Sequence, residues 1–136
     1  MKYLLDTNIC IRHLNQRSAT ITAHLHAVDD TDIAICSVVK GELYLGAMKS
    51  RTREATLRKQ QVFVERFRSL PFDDEAALYY ARIRAELETA GIPIGSNDLM
   101  IAAIALANDL TLVTHNTREF GRIAGLKIED WEAEDS

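Results

Sequence analysis

The chain has 136 residues, 47% of them hydrophobic and 26% charged, with a formal net charge of -4, the proportions of one ordinary globular domain with a substantial core. No run of 18 apolar residues is present, which excludes a membrane-spanning helix, and the acidic balance argues against nonspecific coating of nucleic acid by the whole surface. The N-terminus is too short for a signal peptide, and Cys10 and Cys36 show neither CxxC nor metal-finger spacing, so both read as buried free thiols of a cytoplasmic protein.

In chain order, residues 2–5 read as a buried strand, with Thr7 as the N-cap of a short helix over Asn8 to Leu14. A helix is expected over about 19–28, closed by Asp29 and Asp30, and then a strand at Ile33 to Cys36. Ser37 is placed to cap a helix that carries Glu42 and ends near Met48. Thr52 to Phe67 has Leu57, Val62, Phe63 and Phe67 on helical spacing, with a basic face outward. Leu70-Pro71-Phe72 reads as a short edge piece. A helix with Ala76, Ala77, Tyr80, Ile83 and Leu87 on one face follows, stopped by Gly91 and Pro93. Asp98 opens the most apolar helix, Asn108-Asp109 turn the chain, and strands are expected at 110–114 and 127–129. The single domain 1–136 ends in acids, Glu132, Glu134 and Asp135, as a short tail over about 132–136.

Alternating strands and helices predict an α/β fold: a central, mostly parallel sheet of four to five strands between helices. Such folds place their sites at the carboxyl ends of the strands. Asp6 follows the first strand, Ser37 and Glu42 the second, and His115 and Asn116 the penultimate one.

Three acids stand out in this layout. Asp6 alone reads as a turn or cap residue, although Thr7 is available for capping. Glu42 lies in an apolar run, where a lone Glu is as readily a surface residue as a ligand. Asp98 in a first helical turn has an ordinary explanation in the helix dipole, worth roughly 0.3–1 kcal/mol. Gathered at one edge, the three repel one another unless a cation neutralises them. An oxygen-only donor set selects Mg²⁺ or Mn²⁺ over Zn²⁺. That chemistry suits metal-assisted hydrolysis of a phosphodiester. Positive charge for such a substrate is concentrated in 49–68, where Lys49, Arg51, Arg53, Arg58, Lys59, Arg66 and Arg68 face only Glu54 and Glu65. Arg82 and Arg84 are lesser candidates. A solvated helix face is the plainer reading of this basic segment taken alone.

Leu5-Asp6-Thr7-Asn8, Ser37-Val38-Val39 through Gly41-Glu42-Leu43, Gly95-Ser96-Asn97-Asp98 through Ile101-Ala102-Ala103, and Val113-Thr114-His115-Asn116-Thr117-Arg118-Glu119-Phe120 follow one another in an order that resembles the PIN-domain ribonucleases, specifically the VapC-type toxins of type II toxin–antitoxin systems. Gly125-Leu126 and Glu129-Asp130-Trp131 extend the similarity over essentially the whole chain. The resemblance implies a PIN-like α/β/α sandwich and a Mg²⁺- or Mn²⁺-dependent endoribonuclease that cuts tRNA or rRNA loops. Its products would carry 5'-phosphate and 3'-hydroxyl ends, and the free toxin would arrest translation. It assigns Asp6, Glu42 and Asp98 to catalysis and metal binding, and Thr7, Asn8 and Thr114 to orienting them. Many family members carry an aspartate where this chain has Asn116, so either Asn116 or Glu119 takes the fourth position. Lys49, Arg51, Arg53, Arg58 and Lys59 are the candidates for binding RNA. His115 reads as a loop or RNA-contacting residue. The resemblance also implies a homodimer, a VapB-type antitoxin and contact with promoter DNA only through that antitoxin. A phosphatase with a nucleophilic aspartate is the rival enzyme, weakened because Asp6-Thr7-Asn8 lacks the second acid of a DxD pair. A receiver domain is weakened by the missing lysine after the last strand. A degenerate PIN-like binding module would ordinarily have lost one of the three acids.

Overall fold

The computed structural model describes residues 1–133, and the acidic residues beyond them lie outside the described part. Five strands, β1 (Tyr3–Leu5), β2 (Ile33–Cys36), β3 (Arg68–Leu70), β4 (Thr111–Val113) and β5 (Ile128–Glu129), form one sheet in the order β3-β2-β1-β4-β5. Every pairing is parallel, and the register sets Leu5 beside Val113 and Leu4 beside Ala34. Parallel strands require crossovers. Helices supply most of them: α1 (Thr7–Leu14), α2 (Ala19–Ala27), α3 (Ser37–Met48), α4 (Arg53–Val64), α5 (Asp74–Thr89), α6 (Ser96–Ala107) and the short α7 (Thr117–Phe120). This is the expected α/β architecture. Among the described residues no helix is long and apolar enough to cross a membrane.

The strand order reverses direction at β1. The chain winds outward through β2 and β3, then crosses back to lay β4 on the other side of β1. A crevice opens at the carboxyl edge of such a switch point, because the connections leave in opposite directions. The central strands β1 and β2 are buried on both faces. Helix α6 is buried nearly all round over Ile101-Ala102-Ala103-Ile104-Ala105. It turns into β4 through Asn108 and Asp109, with Asp109 in the left-handed region at φ 52. Its N-terminal turn is thereby carried to the carboxyl edge of the sheet.

Four local expectations are corrected. Thr7 does not cap α1; Asp6 does, its Oδ1 accepting the Thr7 N–H at 2.8 Å. An aspartate can reach that orphan donor from an extended backbone, and Thr7 is already inside the helix. Ser37 likewise is the first residue of α3 and makes no cap; its Oγ donates to the Leu70 carbonyl at 3.4 Å. In α4, Val62 is 63% exposed, because the inward stripe runs through Gln60, Phe63 and Val64. Ala77 of α5 is exposed as well, while Ala76, Ile83 and Leu87 are buried.

Glu132 is not part of a solvated tail. It is buried and accepts from Arg12, with 2.6 Å to Nη2 and 2.7 Å to Nε. Trp131 stacks on His24 and meets Tyr3 edge-on, so the chain end is fastened to α1, α2 and β1. Arg12→Ala leaves the buried carboxylate without its cation. Chemical denaturation should show a loss of about 1–3 kcal/mol; an unchanged midpoint would show that the pair contributes nothing.

Candidate active site

Asp6 sits at the switch point, 5% exposed, and both of its carboxylate oxygens are engaged. Oδ1 caps α1, and Oδ2 accepts from Thr114 Oγ1 at 2.8 Å. Thr114 follows β4 and is fully buried, so this bond ties the two strands together across the reversal. The same Thr114 Oγ1 accepts the Asn116 N–H at 3.0 Å, which sets the turn into α7. Burial pushes the Asp6 carboxyl above its ordinary range; the bonds from Thr114 and Thr7 pull it back, and the charge of Glu42 raises it again.

Glu42 lies about one turn into α3, half-buried, with its two oxygens held separately. Thr7 Oγ1 donates to Oε1 at 2.6 Å, and Asn97 Nδ2 donates to Oε2 at 3.4 Å. Asp98 is next to Asn97 in the first turn of α6. Its carboxyl is pushed up to about 6, first by burial and then by the charges of Asp6, Glu42 and Glu119. Asp98 thus feels the charges of three acids that come from two other helices and one strand end. Glu119, on α7, is the fourth charge of the group.

The remaining expected residues divide. Thr7 and Thr114 orient carboxylates, as their types predict. Asn8 is exposed on α1, and no hydrogen bond joins it to the acids among the described residues. His115 is turned away to Asp130, Nδ1 to Oδ2 at 2.9 Å. Of the basic candidates only Lys59 reaches the acids' neighbourhood, lining a cleft that contains Glu42. Lys49 is exposed at the end of α3, and Arg58 is exposed on α4. Arg51 and Arg53 lie at the α3–α4 corner with Glu54, where Arg53 Nε donates to the Met48 carbonyl at 3.2 Å. On α5, Arg82 covers the Tyr79 ring and Arg84 pairs with Glu88. Sequence reading missed Asn97 as a carboxylate partner. The signal was its position directly before the helical acid.

Among the described residues no three carboxylates, thiols or imidazoles stand close enough to form a ready-made metal cage. The donor chemistry nevertheless fits a hard divalent cation. The carboxylates of Asp6, Glu42 and Glu119, whose charges raise Asp98, supply with it oxygen donors alone. Burial, with the charges of Asp6 and Glu42, pushes the Cys36 thiol up to about 11, so at neutral pH it is protonated. Thr114→Val removes the bond that fixes Asp6 Oδ2 without changing the side chain's shape. Loss of such an orienting partner should lower nuclease activity or cation affinity about 10–100-fold. Titration of both in the folded variant checks this; wild-type values would show that Asp6 needs no support from β4.

Comparison with known proteins identifies the family. A family profile described as the PIN domain matches residues 3–126. The ribonuclease VapC2 of Rickettsia felis is 40% identical over 133 residues, covering 97% of this chain and 99% of that protein. The tRNA(fMet)-specific endonuclease VapC of Shigella flexneri is 41% identical over 131 residues, covering 96% of this chain and 98% of its own length. In three dimensions, a chain of the crystal structure of VapBC2 from Rickettsia felis bound to a DNA fragment of its promoter superposes with a TM-score of 0.90 at 40% identity, covering 96% of this chain and 99% of that one.

Proposed function

Because this chain belongs to the PIN domain family, among its VapC-type ribonucleases, we propose that it is the toxin of a VapBC-type pair, a Mg²⁺- or Mn²⁺-dependent endoribonuclease acting on a structured tRNA loop. The observation that carries this is the Asp6–Thr114 bond across the switch point, with Glu42, Asp98 and Glu119 coupled around it. The relatives named as tRNA(fMet)-specific endonucleases make initiator tRNA the first substrate to test. The partner is a VapB-type antitoxin, and promoter DNA is met through the pair, as in the VapBC2 complex. The toxin acts as a homodimer.

Asp6 and Asp98 would hold the ion, with Glu42 beside it and Glu119, rather than the uncharged Asn116, as the fourth acid. When bound, the ion supplies positive charge for the phosphoryl transition state and makes water more acidic. The protein's part is orientation. Thr114 and the first N–H of α1 fix Asp6 in one rotamer. Thr7 and Asn97 fix Glu42, whose remaining lone pairs take a hydrogen bond from the attacking water and align it with the phosphate. Attack by water, rather than by the ribose 2'-hydroxyl, leaves 5'-phosphate and 3'-hydroxyl ends.

The test is incubation of purified, antitoxin-free protein with total bacterial tRNA and rRNA in Mg²⁺, Mn²⁺ or EDTA, followed by sequencing of product ends. Discrete metal-dependent cuts with 5'-phosphates are expected. Cyclic phosphate ends, or equal cutting in EDTA, would overturn the reading.

A further inference from the structure

Beside Glu42 a cleft of ≈ 260 Å³ opens between α1, α3 and α4, lined by Ile11, Leu14, Leu43, Gly46, Lys59 and Gln60. Its lining is mixed: Ile11, Leu14 and Leu43 are aliphatic, while Asn15, Thr56, Glu42 and the cation Lys59 join Gln60 as polar groups. Gln60 is only 8% exposed, and its Oε1 is buried without a hydrogen-bond partner. An unmet buried acceptor costs about 1–3 kcal/mol. Leucine or methionine in that slot would carry no such cost, since Phe63 and Val64 beside it on the helix are buried. The amide therefore has no role in packing α4. The cleft also has room: a Cβ built on Gly46 meets nothing within 4 Å.

We propose that this cleft receives one unstacked base of the RNA, next to the phosphate being cut, and that Gln60 reads its edge. The inference rests on the ribonuclease reading above. The cleft is smaller than the roughly 300–1,000 Å³ of a drug-sized site and suits one flat ring system. The aliphatic part of the lining can pack against a base face, and Asn15, Thr56 and Gln60 offer polar groups to its edge. The terminal torsion of glutamine is soft, so Oε1 can turn to an N–H donor on the base edge while Nε2 serves a neighbouring acceptor. Lys59 and the exposed Arg58 give the strand a positive path away from the acids. Loops of RNA offer such splayed bases, and duplexes do not.

A cycle between residue and base tests this. Initiator tRNA transcripts, each with one loop base replaced by an abasic ribose, are cut by wild type, Gln60→Leu and Gly46→Leu, with melting curves as a check of folding. At one position beside the cut, wild type should lose about tenfold to a hundredfold in kcat/KM on losing the base. Gln60→Leu should lose as much on intact RNA and nothing further on that abasic RNA. Gly46→Leu, which fills the cleft from a position with open space, should behave the same way. Gln60→Glu, which keeps the acceptor, should retain more activity than Gln60→Leu. Independent, multiplying losses from residue and base would overturn the proposal. So would unchanged cutting by both leucine variants together with weakened binding of the antitoxin, which would make the cleft a protein-docking groove. Absence of cutting by wild type on every RNA would sink the ribonuclease reading itself, and this one with it.

Discussion

Asp98→Asn should reduce RNA cleavage by about three orders of magnitude, the equivalent of roughly 4 kcal/mol of transition-state stabilisation. The same substitution should flatten the pH dependence of stability in EDTA. The folded carboxyl titrates at about 6 against 3.8 for an ordinary aspartate, so between those values the folded chain holds a proton that the unfolded chain has released. The stability this contributes is full below about pH 4 and is lost as pH rises through 6. Wild-type melting temperature in EDTA should therefore fall more between pH 4.5 and pH 7.5 than that of Asp98→Asn. Asparagine keeps the shape and the place in the helix, so activity and pH slope report the charge itself. An active Asp98→Asn protein, or two parallel pH profiles, would remove Asp98 from the acidic group.

Removing divalent cations should abolish cleavage, and adding them back should stabilise the fold as well as restore activity. The charges of Asp6, Glu42 and Glu119 around Asp98 are part of the folded state's cost, and at neutral pH a held cation relieves it. Mass action then predicts about 2.7 kcal/mol of added stability at a hundredfold excess over the dissociation constant. Melting scans with Mg²⁺ and Mn²⁺ read this directly. Wild type should shift upward, and Asp98→Asn should shift much less. Equal shifts in both proteins would place the binding ions elsewhere, and full activity after EDTA treatment would end the metal-dependent reading.

The sequence allowed much of this to be read, for identifiable reasons. Ile33–Cys36 is short, apolar and bounded by turn residues, so its strand was plain, and alternation with helices fixed a parallel sheet. The carboxyl-edge rule then set Asp6 by the end of the penultimate strand, where Thr114, 108 positions away, donates to it. What escaped depended on side-chain direction. Asp6 seemed free of a structural task because Thr7 was credited with the cap, yet one Asp6 oxygen caps α1 while the other is held for the site. Gln60 was passed over because a polar residue on a helix with a basic face reads as solvated. Only its three-residue spacing from Leu57 and Phe63 hinted that it points inward. The charge that Glu119 places on Asp98 was likewise out of reach, because it acts through space and spacing does not reveal it.

The bond between Asp6 and Thr114 also has a consequence for how the protein is made. The ribosome produces the central strand β1 first, yet one of its two neighbours, β4, is not complete until Val113. Until then the nascent chain has half a sheet, and Asp6 lacks the hydroxyl that aims it. Glu119 and the Trp131 clasp emerge later still. Contacts so distant in sequence form late, so a truncated or unfinished chain holds Asp6 and Glu42 but no assembled centre. A chain still being synthesised thus has no assembled acidic centre, by the order of its strands alone.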